Sequence, residues 1–314
     1  MNLTSLFYFT VLAQEKSFTK AAKLLHVTQQ SLSAHVAAVE KELGCPLVVR
    51  HIPLELTYGG QVFLKYAQTM ERVYGDMLRE FGDITRNQQG ILRIGVAFTR
   101  GRVVLPPLIA AFQQQYPRVE VQLLEKQNRE LQEDLLRDRS DLAIGYFPEE
   151  DARLEYGPFY EEEVVLALPK ALGAKLSLPL ETVKYHTEEG NLQDLAAVPF
   201  ILGSQEDIAG SLGRELLDQV GFKPWIVARS YNVETMLTLC KEQVGACFCP
   251  RNLVASTLPD YEQSFVLLPL GAKAKMAIRF AWKKLTYPWQ VLTAFRTIAQ
   301  ARQGNLQAED KRVE

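Results

Sequence analysis

Residues 17 to 44, SFTKAAKLLHVTQQSLSAHVAAVEKELG, constrain this chain more than any other segment, because they read as two short helices joined by a tight turn. Thr19 and Thr28 each stand where a helix begins, with hydroxyls placed to accept from orphan backbone N–H groups two or three residues on. Gly44 ends the second helix. Within it Leu32, Val36, Val39 and Leu43 step by four, three and four and make one buried stripe. Gln29, Gln30 and Ser33 are left facing out. Small Ala21 and Ala22, with Leu24, Leu25 and Val27, let the first helix cross closely over the second, the arrangement of a helix-turn-helix. In such a unit the start of the second helix enters a DNA major groove. The candidate DNA-contacting residues are therefore Thr19, Thr28, Gln29, Gln30, Ser31, Ser33 and His35.

Pro46 to Val49 and Leu54 to Leu56 read as two short strands around Arg50-His51-Ile52-Pro53, a wing in which Arg50 is a further DNA candidate through a phosphate contact. From about Tyr58 to Arg86 the pattern turns helical, with Phe63, Tyr66, Met70, Val73, Met77, Phe81 and Ile84 three or four apart. A helix of about 28 residues spans ~42 Å. Its apolar stripe packs either on its own domain or, the preferred reading, on the same helix of a second subunit, since a winged-helix domain is small. Gly75 and Gly82 weaken it by ~1 kcal/mol each.

The formal net charge of −2 does not by itself point to nucleic acid. Residues 1 to 60 hold Lys16, Lys20, Lys23, Lys41 and Arg50 against Glu15, Glu40, Glu42 and Glu55, a balance of +1 and a weak basic footprint. His26, His35 and His51 also lie there, either lending charge beside a phosphate backbone or standing as ordinary exposed residues. Hydrophobic content of 47% with 23% charged residues, and no run of eighteen apolar residues, leaves no membrane span to expect. No Lys or Arg precedes LTSLFYFTVLA, and Leu3, Leu6, Phe9 and Leu12 fit one helix face, so this run reads as a helix and the protein as cytoplasmic. Cys45, Cys240, Cys247 and Cys249 have neither disulfide-framework nor zinc spacing. In VGACFCP two of them point to one face of a strand, where core packing is the expectation over a redox or metal role.

Asn87-Gln88-Gln89-Gly90 breaks the long helix and reads as a hinge. Strands and helices then alternate: strand 91–96, helix 105–115, strand 119–124, helix 131–138 and strand 142–145, which is βαβ grammar with a parallel sheet. Strand 164–168 leads to a second series: 200–202, helix 208–220, 225–228, helix 234–241 and 245–249, then 265–268, 277–282 and a closing helix 289–301. Two α/β lobes are implied, with a frayed tail after Gly304. Open α/β sheets bind ligands beyond the carboxyl ends of their strands. Thr99, in the loop from Ala97 to Arg102, is a candidate anchor there, with Arg100 or Arg102 as a charged fork to a carboxylate. Ser204-Gln205 and Asn232-Val233 hold equivalent positions in the second lobe, and Tyr146-Phe147 offers an apolar wall. For an enzyme little is present: Gly95 and Gly101 make no dinucleotide fingerprint, and His186 is the only histidine after the wing.

The chain resembles the LysR-type family of bacterial transcriptional regulators. The resemblance rests on Ser17-Phe18-Thr19, Ala21-Ala22, Leu24, Gln29, Ser33, Glu40, Leu43-Gly44, Pro46-Leu47, Arg50 and Thr57 ahead of Gly60. Beyond the helices it continues through Ile94-Gly95, Pro106, Phe112, Tyr116-Pro117, Asp141-Leu142-Ala143-Ile144, Pro199-Phe200-Ile201 and Val244-Gly245 ahead of Pro250. Gln30, Ala34 and Val48 depart from the residues usual at their positions, which bears on the DNA sequence read rather than on the fold. Gln243 replaces a usual Gly, and about Leu172 to Gly190 is longer than the customary connection, forming a flap near the cleft or a surface loop.

The resemblance implies an N-terminal winged helix-turn-helix with a long linker helix, and a C-terminal α/β effector domain of two lobes like a periplasmic solute-binding protein. The expected boundaries are 1–57 for the DNA-binding domain, 58–90 for the linker helix and hinge, 91–304 for the effector domain and 305–314 for the tail. Lobe I covers about 91–164 and 269–304, lobe II about 165–268. It further implies a homodimer or homotetramer on double-stranded promoter DNA, with no cofactor and no metal. The implied effector is a small anionic metabolite held among Thr99, Arg100, Phe147, Ser204 and Asn232. The competing reading is a solute-binding protein whose N-terminal part serves only for assembly.

Overall fold

A computed structural model of the chain describes residues 2–49, 54–85, 89–258, 260–284, 287 and 289–313, with backbone alone at 84 and 303–313. It divides into two compact units, Met1–Asn87 and Gln88–Glu314.

The first unit contains α1 (Leu3–Glu15), α2 (Phe18–Leu24), α3 (Gln29–Leu43), β1 (Val48–Val49), β2 (Glu55–Leu56) and α4 (Tyr58–Ile84). Ser17, not Thr19, caps α2: its backbone is extended and its hydroxyl accepts from Lys20 N–H, so Thr19 is already helical. Thr28 caps α3 by accepting from Ser31 N–H, and Gly44 closes it at φ 71°, a left-handed conformation that suits glycine. Between α2 and α3 the chain turns at His26, φ 54°. Leu6, Phe9 and Leu12 of α1 meet Ala21, Ala22, Leu32, Val36 and Val39 in one core. Leu3 and Leu43, expected in the same stripes, stand in terminal turns beyond the helix crossings and are exposed. β1 and β2 pair antiparallel, Val48 opposite Leu56 and Val49 opposite Glu55. Arg50, at the tip expected between them, lies outside the described residues. α4 enters the core through Phe63 and Ala67, Phe63 meeting the Phe9 ring edge-on at 4.9 Å. Tyr66, between Phe63 and Ala67, and Met70, Val73, Met77 and Phe81 farther along, are exposed on this unit.

The second unit opens with β3 (Gly90–Ala97), α5 (Phe98–Val103), α6 (Leu105–Gln115), β4 (Val119–Lys126), α7 (Leu131–Leu136) and β5 (Leu142–Tyr146). β6 (Leu154–Pro169) follows, then α8 (Lys170–Lys175), α9 (Leu180–Glu188), β7 (Pro199–Leu202), α10 (Ile208–Asp218), β8 (Trp225–Arg229), α11 (Val233–Lys241) and β9 (Ala246–Pro250). It ends with α12 (Arg251–Thr257), α13 (Tyr261–Ser264), β10 (Phe265–Pro269), β11 (Lys275–Lys283) and α14 (Gln290–Val313). The strand order is β4-β3-β5-β11-β6-β9-β7-β8, with β10 also on β6. β3 is parallel to β4 and β5, and β7 to β8 and β9, whereas β11 and β6 run antiparallel to their neighbours. The expected all-parallel sheet is thus mixed. β11 and β6 are the reason: β11 adds antiparallel to β5, and β6 serves both lobes, residues 154–163 pairing with β11 in one and 164–169 with β9 and β10 in the other.

Three further expectations change. Residues 97–102 do not form the expected loop but continue β3 straight into α5. The segment from Leu172 to Gly190 is neither flap nor loop: it forms the end of α8 and the whole of α9, with Leu172 and Val183 buried in the main core. α14 stays helical past Gly304 to Val313. Gln243 takes φ 61°, the backbone state that a glycine at this position accommodates without strain. Cys240, Cys247 and Cys249 are buried free thiols in a second apolar cluster. A hydrogen bond with Cys240 pushes the Cys247 thiol well up, and one with Cys247 does the same for Cys249, burial adding to both. Among the described residues no helix is long and apolar enough to cross a membrane.

Candidate DNA-reading helix and effector cavity

In the first unit the N-terminal turn of α3 is held by two hydroxyls. Thr28 satisfies the Ser31 N–H, and Thr19 Oγ1 donates to Gln29 Oε1 at 3.1 Å, so α2 braces the first side chain of α3. Thr19, Thr28, Gln29, Gln30 and Ser31 are all exposed, and Ser33 is half-buried. Lys16, Lys20 and Lys23 are exposed as well, on α2 and the residue that ends α1. His35 differs from its expected role. Its Nδ1 lies 3.1 Å from Ser5 Oγ and its ring meets Tyr8 edge-on at 4.9 Å, so it is committed to packing α3 against α1.

In the second unit the lobes face each other across a cavity of about 440 Å³. Thr99 from the first turn of α5, Ser204 after β7 and Asn232 after β8 all border it. Asn232 also caps α11, accepting from Glu234 and Thr235 N–H, and Ser204 Oγ accepts from Glu206 N–H. The Ser204 turn is tight because Gly210 sits where a Cβ would come within 2.0 Å of the Ser204 carbonyl oxygen. That packing presents Asp207, the cap of α10, in the cavity wall. Burial pushes its carboxyl above the usual range, against the Gly210 N–H and the Arg100 charge, which pull it down.

Two expected contacts lie elsewhere. Phe147 borders a neighbouring cavity of about 720 Å³, which shares Asp207 with the first. Arg100, only 3% exposed, is bound by Glu162 through two bonds, Nε–Oε2 at 3.1 Å and Nη2–Oε1 at 2.7 Å. Tyr160 OH donates to the same carboxylate at 2.9 Å. Burial works against the Arg100 charge but Glu162 outweighs it, leaving its pKa raised. A guanidinium so engaged is not a fork for a ligand, which corrects the expectation for Arg100. Arg102 takes its place in the cavity wall, ion-paired with Glu234 of α11 on the facing lobe.

Lys126 and Gln127 also line the cavity, and sequence reasoning passed over them. Lys126 is the last residue of β4, a parallel strand, and Gln127 follows it, so the same strand-end rule that selects Thr99 selects them. Asp207 carried a signal too, an acid immediately before a helical run. Glu125 and Tyr231 had none.

Comparison with known proteins agrees with both units. Residues 3–61 match the family described as bacterial regulatory helix-turn-helix protein, lysR family, and residues 85–304 match the LysR substrate binding domain. The chain is 30% identical over 309 residues to the uncharacterized HTH-type transcriptional regulator YcgK of Bacillus subtilis, covering 96% of this chain and 94% of that one. It is 29% identical to the HTH-type transcriptional regulator AlsR of the same organism, over 80% of each. Among solved structures, full-length CbnR complexed with its target DNA aligns over 96% of this chain and all of that one, at TM-score 0.64 and 24% identity. A full-length OxyR variant from Pseudomonas aeruginosa aligns over 95% and 93%, at TM-score 0.66 and 22% identity. The helix-turn-helix family model falls on the first unit and the substrate-binding model spans nearly all of the second, and the chain belongs to the LysR family of transcriptional regulators.

Proposed function

We propose that the protein reads promoter DNA through the first turn of α3 and responds to a small carboxylate-bearing metabolite held between the lobes of its second unit. The observation that carries this reading is the cavity itself, since Thr99 comes from one lobe and Ser204 and Asn232 from the other. A ligand touching both lobes binds some lobe arrangements better than others and so shifts their populations. Thr19, Thr28, Gln29, Gln30, Ser31 and Ser33 form the DNA-reading surface, with Arg50 as a phosphate contact. Subunits join through the exposed stripe of α4 as a homodimer or homotetramer, because a row of large apolar side chains this long on one helix is unstable in water without a partner. Residues 1–57, 58–90 and 91–304 are then the reading, joining and sensing segments. The protein works in the cytoplasm and catalyses nothing.

A thermal-shift screen of small metabolites, repeated with promoter DNA, tests the whole reading. A ligand that binds only the native fold adds about 2.7 kcal/mol of stability at a hundred times its Kd. The expected result is one chemical class that raises the melting temperature and alters promoter affinity. A protein that binds a metabolite but shows no preference for its promoter over unrelated duplex would be a solute binder instead.

A further inference from the structure

The charges around the cavity select among carboxylate ligands. With Arg100 consumed by Glu162, the cationic groups in the wall are Arg102 and Lys126, and they face three acids, Glu125, Asp207 and Glu234. Arg102 and Glu234 are already paired with each other across the cleft. A plain carboxylate that takes Arg102 competes with Glu234 for that guanidinium. It also brings a further negative charge beside Glu234, with Asp207 in the same wall, and like charges at close range repel. A ligand that carries an ammonium near its carboxylate offsets this repulsion. Its carboxylate replaces Glu234 on Arg102, its ammonium replaces Arg102 on Glu234, and neither member of that pair is left without a partner.

Resting on the effector reading of this same cavity, we infer that the effector is an α-amino acid or a close zwitterionic relative. Its carboxylate bonds Arg102 and the Thr99 hydroxyl, and its ammonium lies between Glu234 and Asp207. The side chain points to the mouth, where Phe98 and Tyr231 are 56% and 91% exposed and offer apolar faces. Burial has raised the Asp207 pKa, and a nearby ammonium relieves that strain on its charged form. The volume of about 440 Å³ is within the range of small-molecule sites.

Calorimetry on the full-length protein with the twenty L-amino acids, and with the des-amino acid and decarboxylated amine of each, tests this. At least one amino acid should bind, with both truncated partners at least tenfold weaker. Glu234→Gln should weaken that amino acid tenfold or more while improving the des-amino acid. Arg102→Gln should weaken both, and Arg102→Lys should restore part of the loss. Both side chains are solvent-accessible, so an unchanged melting temperature is the control for folding. A des-amino acid that matches its parent on the native protein overturns the zwitterion. If no amino acid binds but specific promoter binding persists, the ligand class is wrong and the regulator stands. Loss of promoter specificity as well would remove the proposed function itself.

Discussion

Glu162 and Arg100 are each 3% exposed, and neither has water to fall back on. Replacing Arg100 by Met leaves a buried carboxylate with only the Tyr160 hydroxyl, a loss of about 3–5 kcal/mol. The double change Arg100→Met with Glu162→Gln should recover most of it, because the amide still accepts from Tyr160 and carries no charge. Urea unfolding of both variants against wild type measures both effects, and equal destabilisation of the single and double variants would show that the pair is not the cause. Asp207 gives a pH test. Its folded pKa is raised, so the folded state binds the proton more tightly than the unfolded chain, and its contribution to stability is lost as pH rises from near 4 through the folded value. Asp207→Asn keeps an oxygen for the Gly210 N–H and deletes that titration. The variant should gain on wild type between pH 4 and pH 7, and a constant difference across that range would count against the raised carboxyl. On α3, Gln29→Ala should cost ~1–3 kcal/mol of specific DNA affinity and flatten preference at one base pair per half-site in a binding-site selection. Thr19→Val, which removes the hydroxyl that holds Gln29, should blur the same position with a smaller loss. Arg100 and Arg102 are indistinguishable in the sequence because 97–102 reads as a loop. On a helix two residues apart point away from each other, and this separates the buried ion pair from the ligand-facing one.

At the scale of elements, period and capping made the first unit legible. α4 keeps its apolar spacing over 27 residues, and Thr28 and Gly44 mark α3 with side-chain and backbone chemistry that few other positions tolerate. Thr19 misled because Ser17, two residues earlier, is an equally good cap and the helix already begins after it. β6 shows the opposite case. Only Val164 to Leu168 is continuously apolar, whereas Leu154 to Glu163 contains Gly157, Pro158 and three consecutive glutamates, and its strand character comes from pairing with β11. α8 and α9 escaped notice because each is short and buries few side chains, so neither builds up a period. The α4 stripe makes its own prediction. Val73→Asp with Met77→Asp places two charges in the proposed helix pair, where they have no partner, while disturbing nothing in the unit's core, which α4 joins at Phe63 and Ala67. Light scattering should give monomers with weakened promoter binding. An intact oligomer with full affinity would move the interface elsewhere.

For the whole molecule the question is how binding in one unit is felt in the other, and linkage sets a condition that needs no knowledge of the route. If effector changes promoter affinity by some factor, promoter must change effector affinity by the same factor. Thr99→Ala removes one hydrogen bond to a charged group, worth ~1.5–3 kcal/mol, and should weaken effector binding roughly tenfold to a hundredfold. Promoter affinity without effector should not move, because Thr99 belongs to the second unit and the DNA-reading surface to the first. With effector at saturation, the coupling factor should also be unchanged, since the variant weakens binding without altering which lobe arrangement the ligand prefers. Separating the subunits by the paired α4 changes should do the reverse, leaving effector affinity near its DNA-free value while driving the factor toward one. Titrations of effector with and without promoter, and of promoter with and without effector, on both variants decide this. A coupling factor that survived in monomers would place the switch within a single chain, and one that fell with Thr99→Ala would make that hydroxyl part of the signal rather than of the binding site.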